Sequence, residues 1–479
     1  MVFSSVLFLF AFLPVTLAVY YAVPSLRAKN IWLLAASLWF YSWGELRYLP
    51  LLLSSIAVNY VFALLVGWYP KGSRVRLVWL TLAVTANLAL LVYFKYWCFL
   101  LSNLSFLFRW LHWTVHTPTI PLPLGISFFT FHALSYIIDV ARGHVAPQRS
   151  PLRLALYISL FPQLVAGPIV RYGHVAHELG LRYHTWENFA FGVYRFAVGL
   201  ARKVLIANVV GAVADKCFAL PSGKLTAVYA TLGIICYSLQ LYFDFSGYSD
   251  MAIGLGRMFG FHFRENFNLP YWSTSITDFW KRWHISLTSW FRDYVYVPLT
   301  GNQFWVPPWR AYSSMFVVFV LCGFWHGASW TFLAWGVLHG AMLVAERVLL
   351  LRALQAIPVV LQRIYSLSLV MAGWVLFRAD SFSRASAYFR ALFRLRDWTG
   401  FELSLFHGFI DTEGWIAMAV GIVASTPLLR SMSTRFVAVE KDGQWNASPA
   451  GALAIVLLLL VTTMKLANSS FNPFIYYRF

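Results

Sequence analysis

The chain is poor in charged residues. Asp, Glu, Lys and Arg together make up 11% of its 479 residues, whereas about 25% is usual in a soluble protein. Hydrophobic residues make up 60%, and the polar stretches are only as long as loops. This composition excludes a soluble globular protein and predicts an all-α polytopic membrane protein whose apolar helices cross the bilayer.

Acidic residues are fewer than basic ones: the chain has 18 Asp and Glu and 37 Lys and Arg, which gives a net charge of +19. Such an excess is typical of proteins that bind nucleic acid. Here the basic residues are scattered through short loops, so we expect no nucleic-acid partner. Basic clusters near Arg27, at 71–76 and at 142–153 follow alternate early apolar segments. The positive-inside rule predicts that these loops are cytoplasmic and that Met1 lies outside.

Cysteine and the motifs of several enzyme classes are also scarce or missing. The four cysteines have no CxxC spacing, and we find no HExxH, GxSxG or glycine-rich phosphate loop. This argues against zinc, serine-nucleophile and ATP-dependent enzymes. His326 and His339 are thirteen residues apart, which on one continuous helix is about 220° of rotation, on nearly opposite faces. We therefore expect no metal site and a structural role for His339.

Apolar segments run along most of the chain, and at ~20 residues per crossing we expect about 10 to 12 spans, with other segments re-entrant or interfacial. The first segment has no Lys or Arg before residue 13, so we expect a retained helix rather than a signal peptide. The segments lie near Phe3–Val23, Asn30–Trp43, Tyr48–Trp68, Leu77–Leu101, Leu122–Ile138, Leu152–Val170, Phe189–Val213, Leu225–Phe245, Tyr312–Trp330, Thr331–Leu351, Val359–Phe377, Trp415–Leu429 and Ala450–Leu466.

Proline and glycine interrupt two of the middle segments, at 121–125 and at 162–168. Backbone groups freed at membrane depth need protein or water partners, so we expect a cavity here. Nearly all polar residues embedded in apolar sequence lie within 121–345. We expect one membrane-embedded domain over 1–479, with its functional core at 121–345 and surrounding helices at 1–120 and 346–479.

Two stretches each place a histidine beside a tryptophan: Trp283–His284 and Trp325–His326. An imidazole is costly in hydrocarbon, so intramembrane histidines usually face the interior of a helix bundle or a wet cavity. Its unperturbed pKa lies near neutrality, which suits it to transferring a proton. We interpret His284 and His326 as candidate functional residues.

Further polar residues surround this region. Asp244, Ser246, Tyr248 and Asp250 lie at the end of an apolar segment, and we expect them to shape the cavity and bind substrate. Residues 270–298 are too charged to cross lipid, and we interpret them as an amphipathic or re-entrant helix that lines the cavity. Group transfer fits these residues, with one histidine as base and the second holding a carbonyl or oxyanion. A channel or flippase could use the same groups as a proton relay.

Several long stretches, in order along nearly the whole chain, resemble the membrane-bound O-acyltransferase family in its bacterial branch typified by alginate O-acetyltransferase. The matching stretches are Met1–Ser5, Leu122–Phe131, Ser135–Asp139, Phe161–Ile169, Tyr242–Gly256, Trp283–Leu287, Trp325–Gly327 and Asn472–Phe479.

The resemblance implies a ring of helices around a central channel in the bacterial inner (cytoplasmic) membrane, surrounded by membrane lipid. It implies no bound cofactor, with acetyl-CoA as the acyl donor. By motif match, His326 takes the place of the catalytic histidine and His284 that of a second polar residue that positions the donor or oxyanion, with Trp283 and Trp325 beside the substrate. It also implies acetylation of an exported polysaccharide through a periplasmic SGNH-hydrolase-like acetyltransferase and the polysaccharide export machinery.

Overall fold

The computed structural model describes residues 1–110, 120–301, 303, 305–394, 409–429, 438–441 and 444–468. The closing stretch Asn472–Phe479 lies outside them. The described residues form α-helices and one short antiparallel hairpin, β1 (Ala438–Lys441) with β2 (Gln444–Ala447). Two compact units are present: unit 1 is Met1–Phe189 with Leu255–Arg264, and unit 2 is Ala190–Gly254 with Glu265–Phe479. The expected single domain with its core at 121–345 stays a prediction.

Unit 1 is built from helices around a core of aromatic rings. The fully buried Phe8, Phe40 and Phe161 pack with ring centroids 5.5 to 6.2 Å apart. Serine side chains cap the N-termini of α2, α4 and α7, which fixes where these helices begin. The helices are α1 (Leu13–Ala22), α2 (Leu26–Glu45), α3 (Leu49–Trp68), α4 (Arg74–Leu91), α5 (Trp97–Trp110), α6 (Ile126–Arg142), α7 (Pro151–Ser159), α8 (Phe161–Leu164) and α9 (Tyr172–Val175).

The predicted interruptions in the middle of the chain are present in unit 1. Helix α6 begins only after Gly125, whose φ is +71° and where an added Cβ would lie 2.5 Å from the Leu164 carbonyl oxygen. The expected span Leu152–Val170 is not a continuous helix, because α7 ends at Ser159 and the backbone is irregular after α8. Residues 165–170 are buried, as irregular backbone at membrane depth requires.

Unit 2 contains the helices that hold the predicted site residues. Its helices are α10 (Trp186–Ala201), α11 (Asn208–Ala219), α12 (Ala227–Met258), α13 (Ile276–Arg282), α14 (Ile285–Phe291), α15 (Val297–Leu299), α16 (Pro308–His326), α17 (Trp330–Ala345), α18 (Leu351–Ala356), α19 (Val359–Arg378), α20 (Phe382–Leu392), α21 (Thr412–Ala424) and α22 (Pro449–Asn468). Helices α10 and α12 each begin or end with a few residues of unit 1. One-turn π-helical segments follow α10, α14 and α17.

Glycines allow α10 and α12 to approach closely within unit 2. A Cβ added at Gly199 would lie 2.5 Å from the Gly247 carbonyl oxygen, and one added at Gly254 would lie 2.6 Å from that of Gly192. On each helix the two glycines are seven residues apart, about two helical turns. This small-residue contact is typical of helices that pack in membranes.

Six helical stretches in the described part of the chain are long and apolar enough to cross a membrane: Leu26–Trp68, Arg74–Ser105, Trp186–Ala219, Ala227–Met258, Val359–Arg378 and Pro449–Asn468. The first is 43 residues long and contains two of the predicted spans, and Phe8–Ala22 and Thr412–Ala424 are shorter apolar helices. The predicted helical, polytopic membrane protein is confirmed. The total of about 10 to 12 crossings stays a prediction.

Candidate active site

His284 lies between α13 and α14, and only 1% of it is exposed. The expectation of one helix over 270–298 is wrong, because α13 ends at Arg282 and Trp283 is extended. His284, the N-cap of α14, has φ +44°, a left-handed conformation in which a right-handed helix cannot continue. Asn266 holds this turn from a loop. Its backbone carbonyl accepts the Ile285 N–H at 2.9 Å, and its side-chain Oδ1 accepts the Ser286 N–H at 3.0 Å.

The same Asn266 oxygen indicates the tautomer of His284. It lies 3.2 Å from His284 Nδ1, whereas the Ser286 hydroxyl lies 3.4 Å from the same nitrogen. Because an amide oxygen can only accept, the shorter contact favours the tautomer with the proton on Nδ1. Burial lowers the pKa of His284 to about 3, so the ring is neutral near pH 7 and its lone pair lies on Nε2. That nitrogen is buried without a hydrogen-bond partner in the part of the chain described. A neutral ring in this tautomer accepts a hydrogen bond at Nε2. The expected role of His284 in positioning the donor or an oxyanion stays a prediction.

His326 is the last residue of α16 and is 7% exposed. The rings of Trp325, Trp335 and Phe377 pack edge-to-face on it at centroid distances of 4.8, 5.3 and 5.2 Å. The helix ends at Gly327, where an added Cβ would lie 2.2 Å from a ring carbon of Phe332. The aromatic contacts hold the imidazole in one place at the end of its helix.

His339 lies on a different helix from His326, in line with the two separate apolar segments expected at Tyr312–Trp330 and Thr331–Leu351. Helix α17 begins at Trp330, and the N-cap Ser329 accepts the Phe332 N–H. Both histidines pack on Trp335, His339 at 4.9 Å. His339 Nδ1 accepts a hydrogen bond from Trp280 Nε1 at 3.4 Å. Within the described residues no group of three or more His, Cys, Asp or Glu side chains could hold a metal ion.

Aromatic rings connect the two histidine turns within unit 2. Trp335 lies 6.2 Å from Trp374, which lies 5.1 Å from Trp283, the neighbour of His284. Phe245 of α12 packs edge-to-face on the His284 ring at 4.6 Å. The predicted Trp–His pairs therefore belong to one buried aromatic cluster.

Asp244 forms an ion pair with Lys203, whose Nζ lies 2.7 Å from Asp244 Oδ1, and the two side chains are 2% and 3% exposed. Lys203 also donates to Asn208 Oδ1 at 2.8 Å. It lies in the π-helical turn Arg202–Ala207, a distortion frequent at functional sites. Because a buried charge is costly without a partner, each of the two groups needs the other.

Asp250 lies on α12 six residues after Asp244. Its carboxylate binds two guanidinium groups. Arg195 Nη2 lies 2.7 Å from Asp250 Oδ1, and Arg202 pairs with Oδ2. Arg195 also pairs with Glu265 at 2.5 Å. The side chains of Arg195 and Arg202 are 23% and 34% exposed, so their remaining N–H groups can reach a ligand.

The other predicted residues of α12 are buried as well. The hydroxyls of Ser246 and Ser249 have no hydrogen-bond partner among the residues described, and Tyr248 is 4% exposed. Two serines three residues apart share a helix face. Buried hydroxyls without partners are costly, which favours a water or substrate group beside them.

Comparison with known proteins identifies the family. Residues 129–379, which include α12 and both histidine turns, match the sequence model of the membrane-bound O-acyltransferase family. The chain belongs to this family. It is similar over 100% of both chains to proteins named probable alginate O-acetylase, with 39% identity in Azotobacter vinelandii and 38% in Pseudomonas aeruginosa. It is 37% identical to the peptidoglycan O-acetyltransferase of Helicobacter pylori, over 80% of this chain and 78% of that one.

Membership in the membrane-bound O-acyltransferase family makes the chain a multi-pass membrane enzyme that transfers acyl groups to oxygen. This confirms the resemblance seen in the sequence. It also decides between the two alternatives that the residues left open, in favour of the enzyme over a channel or flippase without chemistry.

Two residues that contact the predicted site residues were not predicted: Lys203 and Asn266. Lys203 lies in a predicted apolar segment, and a charged residue in such a segment needs a partner, so the sequence alone could have indicated it. Asn266 lies in a polar loop, eighteen residues before the histidine it orients. Its sequence surroundings contain no such indication.

Proposed function

We propose that this enzyme moves acetyl groups from cytosolic acetyl-CoA across the bacterial inner membrane for O-acetylation of an exported polysaccharide, alginate or a similar polymer. The observation that carries this proposal is the 39% identity, over the whole of both chains, to a protein named for alginate O-acetylation. A second relative is named for O-acetylation of peptidoglycan. Both names pair an acetyl group with a glycan polymer.

The proposed donor and acceptor lie on opposite sides of the membrane. Acetyl-CoA is a charged cytosolic molecule, whereas the hydroxyls of an exported polymer lie outside. We propose that the acetyl group leaves this protein for a periplasmic SGNH-hydrolase-like acetyltransferase that works with the polysaccharide export machinery. Buried polar groups on α12 and at the histidine turns would support passage through an otherwise apolar protein.

The chemistry is transfer of an acetyl group from sulfur to oxygen. The hydroxyl that first receives the acetyl group belongs in this scheme to the periplasmic partner, which then passes the group to the polymer. The hydroxyl oxygen attacks the thioester carbonyl, a C–O bond forms, the C–S bond breaks, and the hydroxyl proton goes to a base while CoA leaves as thiolate. We propose His326 as that base. Its imidazole is held edge-to-face by three aromatic rings, which limits its motion and keeps water away. A positioned base typically contributes about 10²- to 10⁴-fold in rate.

We propose that His284 binds substrate through Nε2 as a hydrogen-bond acceptor. Its Nδ1–H is committed to Asn266 Oδ1 at 3.2 Å, and Nε2 is buried without a described partner. The acceptor hydroxyl or an amide N–H of the donor's pantetheine arm could supply the missing hydrogen. With a pKa of about 3, the ring would position substrate and would not carry a proton.

The remaining predicted residues are proposed to bind substrate around these histidines. The unpartnered hydroxyl of Ser246 supports contact with a polar substrate group. The partly exposed guanidinium groups on Asp250 support binding of the donor's phosphates nearby. The proposed substrate-binding residues are Asp244, Ser246, Tyr248, Asp250, Trp283 and Trp325.

The proposal is tested with purified protein in proteoliposomes supplied with acetyl-labelled acetyl-CoA on one side. The periplasmic partner and an acceptor oligosaccharide are placed on the other. We expect release of free CoA on the donor side and covalent label in the oligosaccharide. Flux of intact acetyl-CoA without CoA release would contradict the proposal, as would a failure of acetyl-CoA to react while another acyl donor does.

A further inference from the structure

Glu346 is a buried carboxylate for which the reaction proposed above has no direct use. It is 0% exposed and begins the π-helical turn Glu346–Leu350 that follows α17. An ionisable residue buried in a membrane protein is costly and usually has a specific role. Its contacts indicate what that role is.

The two carboxylate oxygens accept hydrogen bonds from the first turn of α13. Oε1 accepts the Ile276 N–H at 2.6 Å, and Oε2 accepts the N–H and the hydroxyl of Thr277 at 2.9 and 2.8 Å. Three donors are therefore directed at the two oxygens of the carboxylate. An anion at the N-terminus of a helix is also favoured by the helix dipole.

Helix α13 joins this anchor to both histidine turns. It has only seven residues, and its C-terminal end leads directly into Trp283 and His284. Its Trp280 packs at 5.6 Å on Trp335, which itself packs on His326. A helix this short has little stability of its own, so its place depends on what holds its ends.

We infer that Glu346 is a positioning residue of the acyl-transfer site. Its carboxylate fixes the first turn of α13 and thereby the places of His284 at the other end and of Trp280 against Trp335. The inference rests on the proposed function for its kinetic consequence, but the anchoring itself does not. Asn266 holds the histidine turn from the other side, through the Ile285 and Ser286 N–H groups.

Glu346→Gln keeps the shape of the side chain but replaces one of its two acceptor oxygens. The variant therefore tests whether both oxygens are needed to hold the first turn of α13. The amide NH₂ of glutamine cannot accept the donors that one oxygen now takes. We expect kcat for acetyl transfer to fall by about 10²-fold, as small displacements at an active site can cause, with KM for acetyl-CoA little changed. The matched control is Glu413→Gln, which alters an exposed ion pair with Lys465 and should leave kcat unchanged.

Thr277 provides a graded test of the same contact. Thr277→Val removes the hydroxyl that donates to Glu346 and should lower kcat less than Glu346→Gln does. Thr277→Ser keeps that hydroxyl and should restore the wild-type kcat. A role in folding alone predicts instead that these variants lose folded protein or melting temperature while kcat per folded molecule stays the same, which would overturn the inference.

Hydrogen exchange measured by mass spectrometry tests the anchoring without any activity. In Glu346→Gln, peptides covering 274–291 should exchange faster while those of α12 stay protected. Unchanged exchange in 274–291 would overturn the inference, as would faster exchange with an unchanged kcat. If the wild type releases no CoA from acetyl-CoA, the proposed function fails, while the exchange result still decides whether Glu346 holds α13.

Discussion

Removing either Lys203 or Asp244 alone should destabilise unit 2, whereas replacing both with apolar residues should leave its stability nearly unchanged. The side chains of this ion pair are 3% and 2% exposed, so solvent does not screen the interaction. Removing one partner of a buried pair costs about 3–5 kcal/mol, because the other charge remains uncompensated. At about 2–4 °C per kcal/mol, Asp244→Asn and Lys203→Met should each lower the thermal midpoint by about 6–20 °C.

The double variant Lys203→Met with Asp244→Leu separates a structural from a functional role for the pair. Apolar side chains of similar volume can replace a buried ion pair with little or no loss of stability, so we expect a midpoint near that of the wild type. The assay is loss of the monodisperse peak of detergent-purified protein after heating, with acetyl transfer measured on the same samples. A single variant as stable as the wild type, or a double variant no better than the singles, would refute the reasoning.

Three further predictions concern orientation, α12 and helix packing. A cysteine placed at Arg74 should not react with a membrane-impermeant reagent in intact cells; efficient labelling would reverse the predicted orientation. Asp250→Asn should lower acetyl transfer, because it weakens the hold on two guanidinium groups, and unchanged transfer at unchanged protein level would remove Asp250 from the site. Gly199→Ala should lower the thermal midpoint, because the new Cβ would lie 2.5 Å from the Gly247 carbonyl oxygen. The control Gly223→Ala should leave the midpoint unchanged, because no atom lies within 4 Å of its new Cβ. Equal midpoints for the two variants would show that the close approach of α10 and α12 is not required.

The membrane class and the two Trp–His turns could be predicted because they depend on local properties of the sequence. Hydropathy over about 20 residues identifies a span, and a histidine in apolar sequence stands out without any knowledge of the fold. The break between α16 and α17 could also be predicted, because the two apolar segments were expected to meet near Trp330. In the structure Gly327 ends α16 and Ser329 is the N-cap of α17.

The contacts that determine chemical roles could not be predicted, because they join residues far apart in the sequence. Asn266 indicates which nitrogen of His284 has the proton, and Glu346 reaches back to Thr277 across 69 positions. The sequence neighbours of His284 do not indicate which ring nitrogen has the proton, whereas the contact with Asn266 favours the tautomer that accepts a hydrogen bond at Nε2. The Ile285 and Ser286 N–H groups that bind Asn266 hold the left-handed turn at His284. Histidine adopts this conformation more often than most residues do, but too rarely for the sequence alone to predict the turn.

The proposed role of His326 as the base for acyl transfer is tested most directly by the rate of CoA release from acetyl-CoA. The rate is measured with purified variants matched for folded protein. His326→Ala should lose about 10²- to 10⁴-fold in rate while remaining in the membrane. His284→Asn should be milder than His284→Ala, since an amide oxygen can still accept a hydrogen bond, and His339→Ala should keep substantial activity. Near-wild-type turnover by His326→Ala, with His339→Ala inactive, would contradict the account and assign the reaction to the other histidine.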